Sequence, residues 1–82
     1  MKLVSLSDII IADNFLSHPP KEKKLNKIRR YYSEFGVIDK PIIINKKNVL
    51  IDGYIRYLVL KENGREHAYV KVQNWLIWKK EV

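Results

Sequence analysis

An 82-residue chain without one cysteine has neither a disulfide nor a thiolate-metal site to hold it together, so its fold must rest on an apolar core. A chain of this size buries roughly 60–65% of the surface its unfolded form exposes, which allows one domain and one modest core. The hydrophobic share of 46% is ordinary for a globular domain and the charged share of 30% is not extreme, so neither disorder nor a fibrous repeat is expected. Every thiol-based mechanism is excluded. The opening Met1–Leu6 run is cut short by Asp8 with no small-residue cleavage pattern after it. Val72 to Trp78, the longest uncharged stretch near the C-terminus, falls far short of the roughly 18 residues a membrane span requires. A cytoplasmic chain forming one domain over residues 1–82 is the expectation.

Sixteen Lys and Arg against nine Asp and Glu give a formal charge of +7. Such a surface attracts nucleic acid, nucleotides, anionic lipid or an acidic protein without choosing among them. Its distribution says more. Six basic residues (Lys21, Lys23, Lys24, Lys27, Arg29, Arg30) and one acid, Glu22, fall between Lys21 and Arg30. Leu25, Ile28, Tyr32 and Phe35, spaced 3, 4 and 3, lie on one helical stripe. Pro19 and Pro20 suit the start of this amphipathic helix and Gly36 its end. Its basic outer face is either a solvated surface or, through Lys23, Lys24, Lys27 and Arg30, a track that steers nucleic acid.

Around this helix the alternation from Lys2 to Leu6 predicts a first strand, Ser7 or Asp8 a cap for a short helical turn through Ile11, and Asp13 to Pro20 a loop. Pro41 to Ile44 and Val49 to Ile51 flank a turn at Asn45–Asn48 and form a plausible hairpin. Asp52-Gly53 admits two readings. As a turn it leads into a strand over Tyr54–Leu60; as a helix start, with Asp52 as N-cap, it opens a helix that ends at Asn63-Gly64 and turns Ile55, Leu58 and Val59 inward. Glu66 to Val72 predicts a last strand, and Trp75 and Trp78 form an apolar tail before Lys79-Lys80.

The order of these elements resembles the ParB N-terminal/sulfiredoxin superfamily across roughly Leu3 to Val72. The carriers are the Ser-Asp-Ile-Ile opening, the helix ending at Gly36, the Pro41–Ile44 strand and, above all, Leu50-Ile-Asp-Gly-Tyr-Ile-Arg56, which resembles a Gly-x-x-Arg turn between strand and helix. The resemblance implies an α+β, ParB/sulfiredoxin-like single domain with a short mixed β-sheet flanked by helices. The turn is intelligible physically: a glycine opening a helix lets a phosphate approach exposed backbone amides, and an arginine on the first turn adds a bidentate contact. Gly53, Tyr54, Ile55 and Arg56 are therefore the expected phosphate or nucleotide site. Asp52 is the awkward member: beside an anion it must point away as a cap, bind Mg²⁺ or act as a base. The bland reading stands beside this one: Asp52 caps, Gly53 turns and Arg56 makes a surface ion pair.

Substitutions at the turn prune the activities the resemblance brings. Sulfiredoxins place a catalytic cysteine directly after the glycine; here Tyr54 stands there and no cysteine exists, so that chemistry is excluded. Partition ParB proteins bind CTP with Gly-Glu-Arg-Arg, of which Gly53 and Arg56 alone carry over, and they continue into a helix-turn-helix for which 82 residues leave no room. Free-serine kinases that use ADP carry Asp-Gly-His-His-Arg, of which Asp52, Gly53 and Arg56 carry over; the acid before the long helix has Glu22 as its candidate here. His18 and His67 have no ligand spacing, so no metal site is expected.

The leading expectation is a ParB-like domain that binds a nucleotide (CTP, ATP or ADP with Mg²⁺) or another phosphate ligand, serves a DNA-related process and meets nucleic acid or a protein partner. Two alternatives stand beside it: a nuclease-like or kinase-like phosphoryl-transfer enzyme with Asp52 as its catalytic residue, and an interaction domain using Trp75 and Trp78 for a partner or a second copy.

Overall fold

β4, one of the two inner strands of a four-stranded sheet, alternates from His67 to Lys71. In this computed structural model, which describes residues 1–73, β4 (His67–Gln73) buries Ala68 and Val70 and exposes His67, Tyr69 and Lys71. β1 (Lys2–Ser5) pairs antiparallel with it on one side, and β2 (Ile42–Asn45) pairs parallel on the other. β3 (Leu50–Asp52) completes the order β1-β4-β2-β3 as the antiparallel partner of β2. The predicted hairpin is thus present, its turn tied by the Asn45 side chain, whose Oδ1 accepts from the amides of Lys47 and Val49 at 2.8 and 3.0 Å.

The helices are α1 (Asp13–Leu16), α2 (Glu22–Phe35) and α3 (Tyr54–Glu62). The inner sheet positions Ile42, Ile44, Ala68 and Val70 form one apolar cluster with Leu6, Ile9, Leu50, Tyr57 and Leu60, and burying each of the larger side chains contributes about 1.5–3 kcal/mol. α2 lies against α3. Ile28 of α2 and Val59 of α3 are both buried yet lie outside the sheet-facing cluster. Arg29 ties the two helices from the surface: Nε and Nη2 donate to Glu62 at 2.7 and 3.1 Å, and Nη1 donates to Glu22 and Asn26. These bonds hold the Glu62 carboxyl below its ordinary pKa and raise that of Arg29.

Several sequence expectations need correction. The first helical turn is a 3₁₀ turn at Leu6–Asp8, one turn earlier than expected, because Leu6 is drawn into the core and Ile10 extends to bridge Val49 beside β3. Asp13–Leu16 is helical rather than loop. There the Phe15 ring packs against the core and lies 5.3 Å from Tyr54, so tertiary contact overrides local preference. The helix reading of residues 54–62 holds, with Gly53 rather than Asp52 in the N-cap position. Tyr57 and Leu60 join Val59 as its buried residues, whereas Ile55 and Leu58 are half-buried. Phe35 is 58% exposed, since the chain turns away at Gly36 and the ring finds Tyr31 on its own helix. Trp75 and Trp78 lie outside the described residues. No described helix is long and apolar enough to cross a membrane.

Candidate functional site at the Gly53 turn

The junction between β3 and α3 is built on a glycine that nothing else can replace without strain. Gly53 has φ +100°, and a Cβ placed there would sit 3.1 Å from the Ile42 Cα. Two constraints therefore coincide: a left-handed backbone and direct contact with β2. The first helical hydrogen bond runs from the Tyr57 N–H to the Gly53 carbonyl at 2.9 Å. The amides of Tyr54, Ile55 and Arg56 thus have no acceptor within the helix, and the positive end of the helix dipole falls on the same spot. The Gly53 amide is different: it donates to Asp52 Oδ1 at 2.9 Å.

A cavity of about 350 Å³ opens over this turn. Asp52, Gly53, Tyr54, Ile55 and Arg56 form one wall, and Phe15, His18, Pro19, Pro20, Lys21 and Lys24 form the other. The expected site residues are thus brought together, and the start of α2 delivers two of the cations, Lys21 and Lys24, that the sequence reading assigned to steering or to the basic run. Lys23, Lys27 and Arg30 are exposed on α2 and do not line the cavity. His18 does line it, a placement the sequence did not signal. Its Nδ1 lies 3.0 Å from the Asn14 carbonyl oxygen, an acceptor, so this nitrogen carries the proton in the neutral ring.

Arg56 meets a partner that spacing did not disclose. Its Nε and Nη2 donate to the two carboxylate oxygens of Asp39 at 2.7 and 3.0 Å, a bidentate pair in which the side chains are 19% and 26% exposed. The hydrogen bond to Arg56 holds the Asp39 carboxyl below the ordinary carboxylate pKa, against the opposing effect of burial. Among the described residues Arg56 Nη1 makes no hydrogen bond. The turn therefore places two acids against two of its donors: Asp52 on the Gly53 amide and Asp39 on Arg56. Among the described residues no group of three or more His, Asp or Glu side chains is arranged to hold a metal ion.

This architecture recurs in known structures. A ParB-N domain described as Pnob8-like superposes with a TM-score of 0.77 at 22% identity, over 98% of this chain and 32% of the other. A second pNOB8-like ParB N-domain gives 0.75 at 21% identity, over 98% and 29%. Sulfiredoxin from Arabidopsis thaliana gives 0.74 at 14% identity, over 99% and 94%. The chain thus spans about a third of the length of the ParB-N chains it matches. No family model and no curated protein sequence matches it. At these identities the likeness establishes architecture, and the chain has the fold shared by ParB N-domains and sulfiredoxin.

Proposed function

We propose that the chain is a ParB-like domain that binds the phosphate of a nucleotide in the cavity over the Gly53 turn and serves a DNA-related process. The observation that carries this reading is the convergence of Lys21, Lys24 and Arg56 on one cavity around the first-turn amides of α3. Three cations outnumber the single acid of the lining, Asp52, and about 350 Å³ falls within the roughly 300–1,000 Å³ range of small-molecule pockets. The ligand takes Arg56 Nη1 and the amides of Tyr54 and Ile55, with Lys21 and Lys24 as point charges. Asp39 holds Arg56 in place while competing for it, and a divalent cation carried by the nucleotide relieves the repulsion from Asp52. The outer face of α2 steers nucleic acid towards the same side of the molecule.

Calorimetric titration of CTP, ATP and ADP, each with Mg²⁺, tests the reading. Binding of at least one is expected. Arg56→Ala should weaken it about ten- to hundredfold, the worth of a hydrogen bond to a charged group, and Asp39→Asn should strengthen it by removing the competitor. Absence of heat with all three nucleotides for the unaltered chain removes the reading. Asp52→Asn should preserve or strengthen binding; a phosphoryl transfer abolished by this change would instead establish Asp52 as a catalytic group.

A further inference from the structure

α2 carries an outer face to which the fold gives no structural task. Arg29, on one flank, is consumed by Glu22, Asn26 and Glu62. Lys23, Lys27 and Arg30, four and three residues apart, form an exposed stripe turned away from the buried Ile28, and none of them is ion-paired with a described carboxylate. Glu34 closes the stripe one turn further on. Beside it stand two aromatic rings, Tyr31 and Phe35, 36% and 58% exposed, with centroids 4.6 Å apart and planes tilted by 44°. Each ring leaves surface to solvent and braces the other.

We propose that this face of α2 binds single-stranded nucleic acid, with backbone phosphates on Lys23, Lys27 and Arg30 and a base stacked on the Tyr31–Phe35 pair. The proposal rests on the nucleic-acid part of the reading above and is independent of the nucleotide cavity. Charge complementarity supplies the first argument: the three cations span about 10 Å of helix, the reach of about three phosphates of one strand. The aromatic pair supplies the second. Every base offers a π-face to an exposed ring, but a duplex hides its bases in the stack, so adjacent cations and exposed aromatics select the single strand. An acidic peptide or an anionic membrane would use the cations and leave the ring pair without a stacking partner. Glu34 repels the next phosphate and ends the track.

The test is fluorescence anisotropy of a labelled twelve-nucleotide deoxythymidine strand, and of a duplex of equal length, with the full chain. The strand should bind at least about tenfold more tightly than the duplex. Its affinity should fall with salt at a logarithmic slope of about −2, as three phosphate contacts on a single strand require. Tyr31→Ala should weaken strand binding about tenfold with the slope unchanged, and Tyr31→Phe should retain it. Lys27→Ala should flatten the slope by about 0.7. Both positions are exposed, and circular dichroism verifies that the variants fold. Equal affinity for duplex and strand overturns the proposal, as does an unaffected Tyr31→Ala, or equally tight binding to phosphatidylserine vesicles or polyglutamate. Arg56→Ala separates the two readings: it should weaken nucleotide binding in the cavity about ten- to hundredfold and leave strand binding on α2 intact.

Discussion

Gly53 illustrates how one residue can be demanded by the fold before any ligand is considered. Its φ of +100° lies where an L side chain is strained, and the Ile42 Cα lies 3.1 Å from where a Cβ would be. The glycine of a Gly-x-x-Arg turn is therefore no evidence of phosphate binding by itself; the cations around it are. Gly53→Ala should destabilise the chain by about 1–3 kcal/mol, visible as a lower urea midpoint, and an unchanged midpoint would contradict the contact with β2. Arg56 and Asp39 make the complementary case, a pair separated by 17 residues that no local pattern announces. Asp39 has a folded pKa lowered by Arg56, so its contribution to stability is fully present above the unfolded carboxylate value, near 3.8, and is lost as the pH falls through the lowered folded value. Partly exposed, the pair contributes about 0–1 kcal/mol. Asp39→Asn should remove that share of the acid sensitivity below pH 4 in thermal melts, and a melt that stays as acid-sensitive as that of the unaltered chain would show that Asp39 is not the group responsible.

At the scale of elements, α2 is the most legible part of the chain and α1 the least. The 3-4-3 spacing of Leu25, Ile28, Tyr32 and Phe35, closed by Gly36, fixes a helix that the structure bounds at Glu22 and Phe35, with Gly36 at φ +74°. The same pattern misplaces Phe35, because periodicity assigns a face and not the depth of what the face meets. α1 is four residues long with no side-chain cap at its N-terminus, and Phe15 supports it through contacts with the core and Tyr54 that lie far along the chain. That unforeseen turn puts Phe15 into the cavity lining, and the chain leaving it brings His18, Pro19 and Pro20 to the same wall, which local patterns around Gly53 do not announce. Ile28 and Arg29, adjacent on α2, separate apolar from ionic contributions. Ile28→Ala should cost about 2–5 kcal/mol as a buried truncation, whereas Arg29→Ala should cost about 0.2–1 kcal/mol because its pairs are solvent-exposed. Chemical denaturation of the two variants checks the ranking, and a larger loss at Arg29 would mean that the ionic clasp holds the helices together.

Among the described residues the core lies on one side of the sheet, where Val4, Ala68, Ile42 and Val70 face the apolar cluster, while Leu3 and Tyr69, paired across β1 and β4, are 53% and 62% exposed. The architecture followed from element order and a few junction residues, because local patterns specify local elements; the strand order β1-β4-β2-β3 comes from non-local pairing that no window of sequence contains. The +7 charge acts at this scale too. Folding gathers Lys21, Lys23, Lys24, Lys27 and Arg30 onto or beside one helix, where like charges three and four residues apart each cost about 0.2–0.5 kcal/mol at low salt. Against this stand the ion pairs of Arg29 and Arg56, in direct contact at 2.7–3.1 Å. Added salt shortens the Debye length from about 30 Å at 0.01 M to about 8 Å at 0.15 M, which weakens the longer-range repulsions more than the contact pairs. Relief of up to about 1 kcal/mol corresponds to a rise in melting temperature of about 4–8 °C for a domain of this size. The melting temperature should therefore climb over that range of sodium chloride, and Lys27→Glu should raise the low-salt value and flatten the climb. A melting temperature that falls with salt would mean that the ion pairs, not the crowded cations of α2, dominate the electrostatics of the fold.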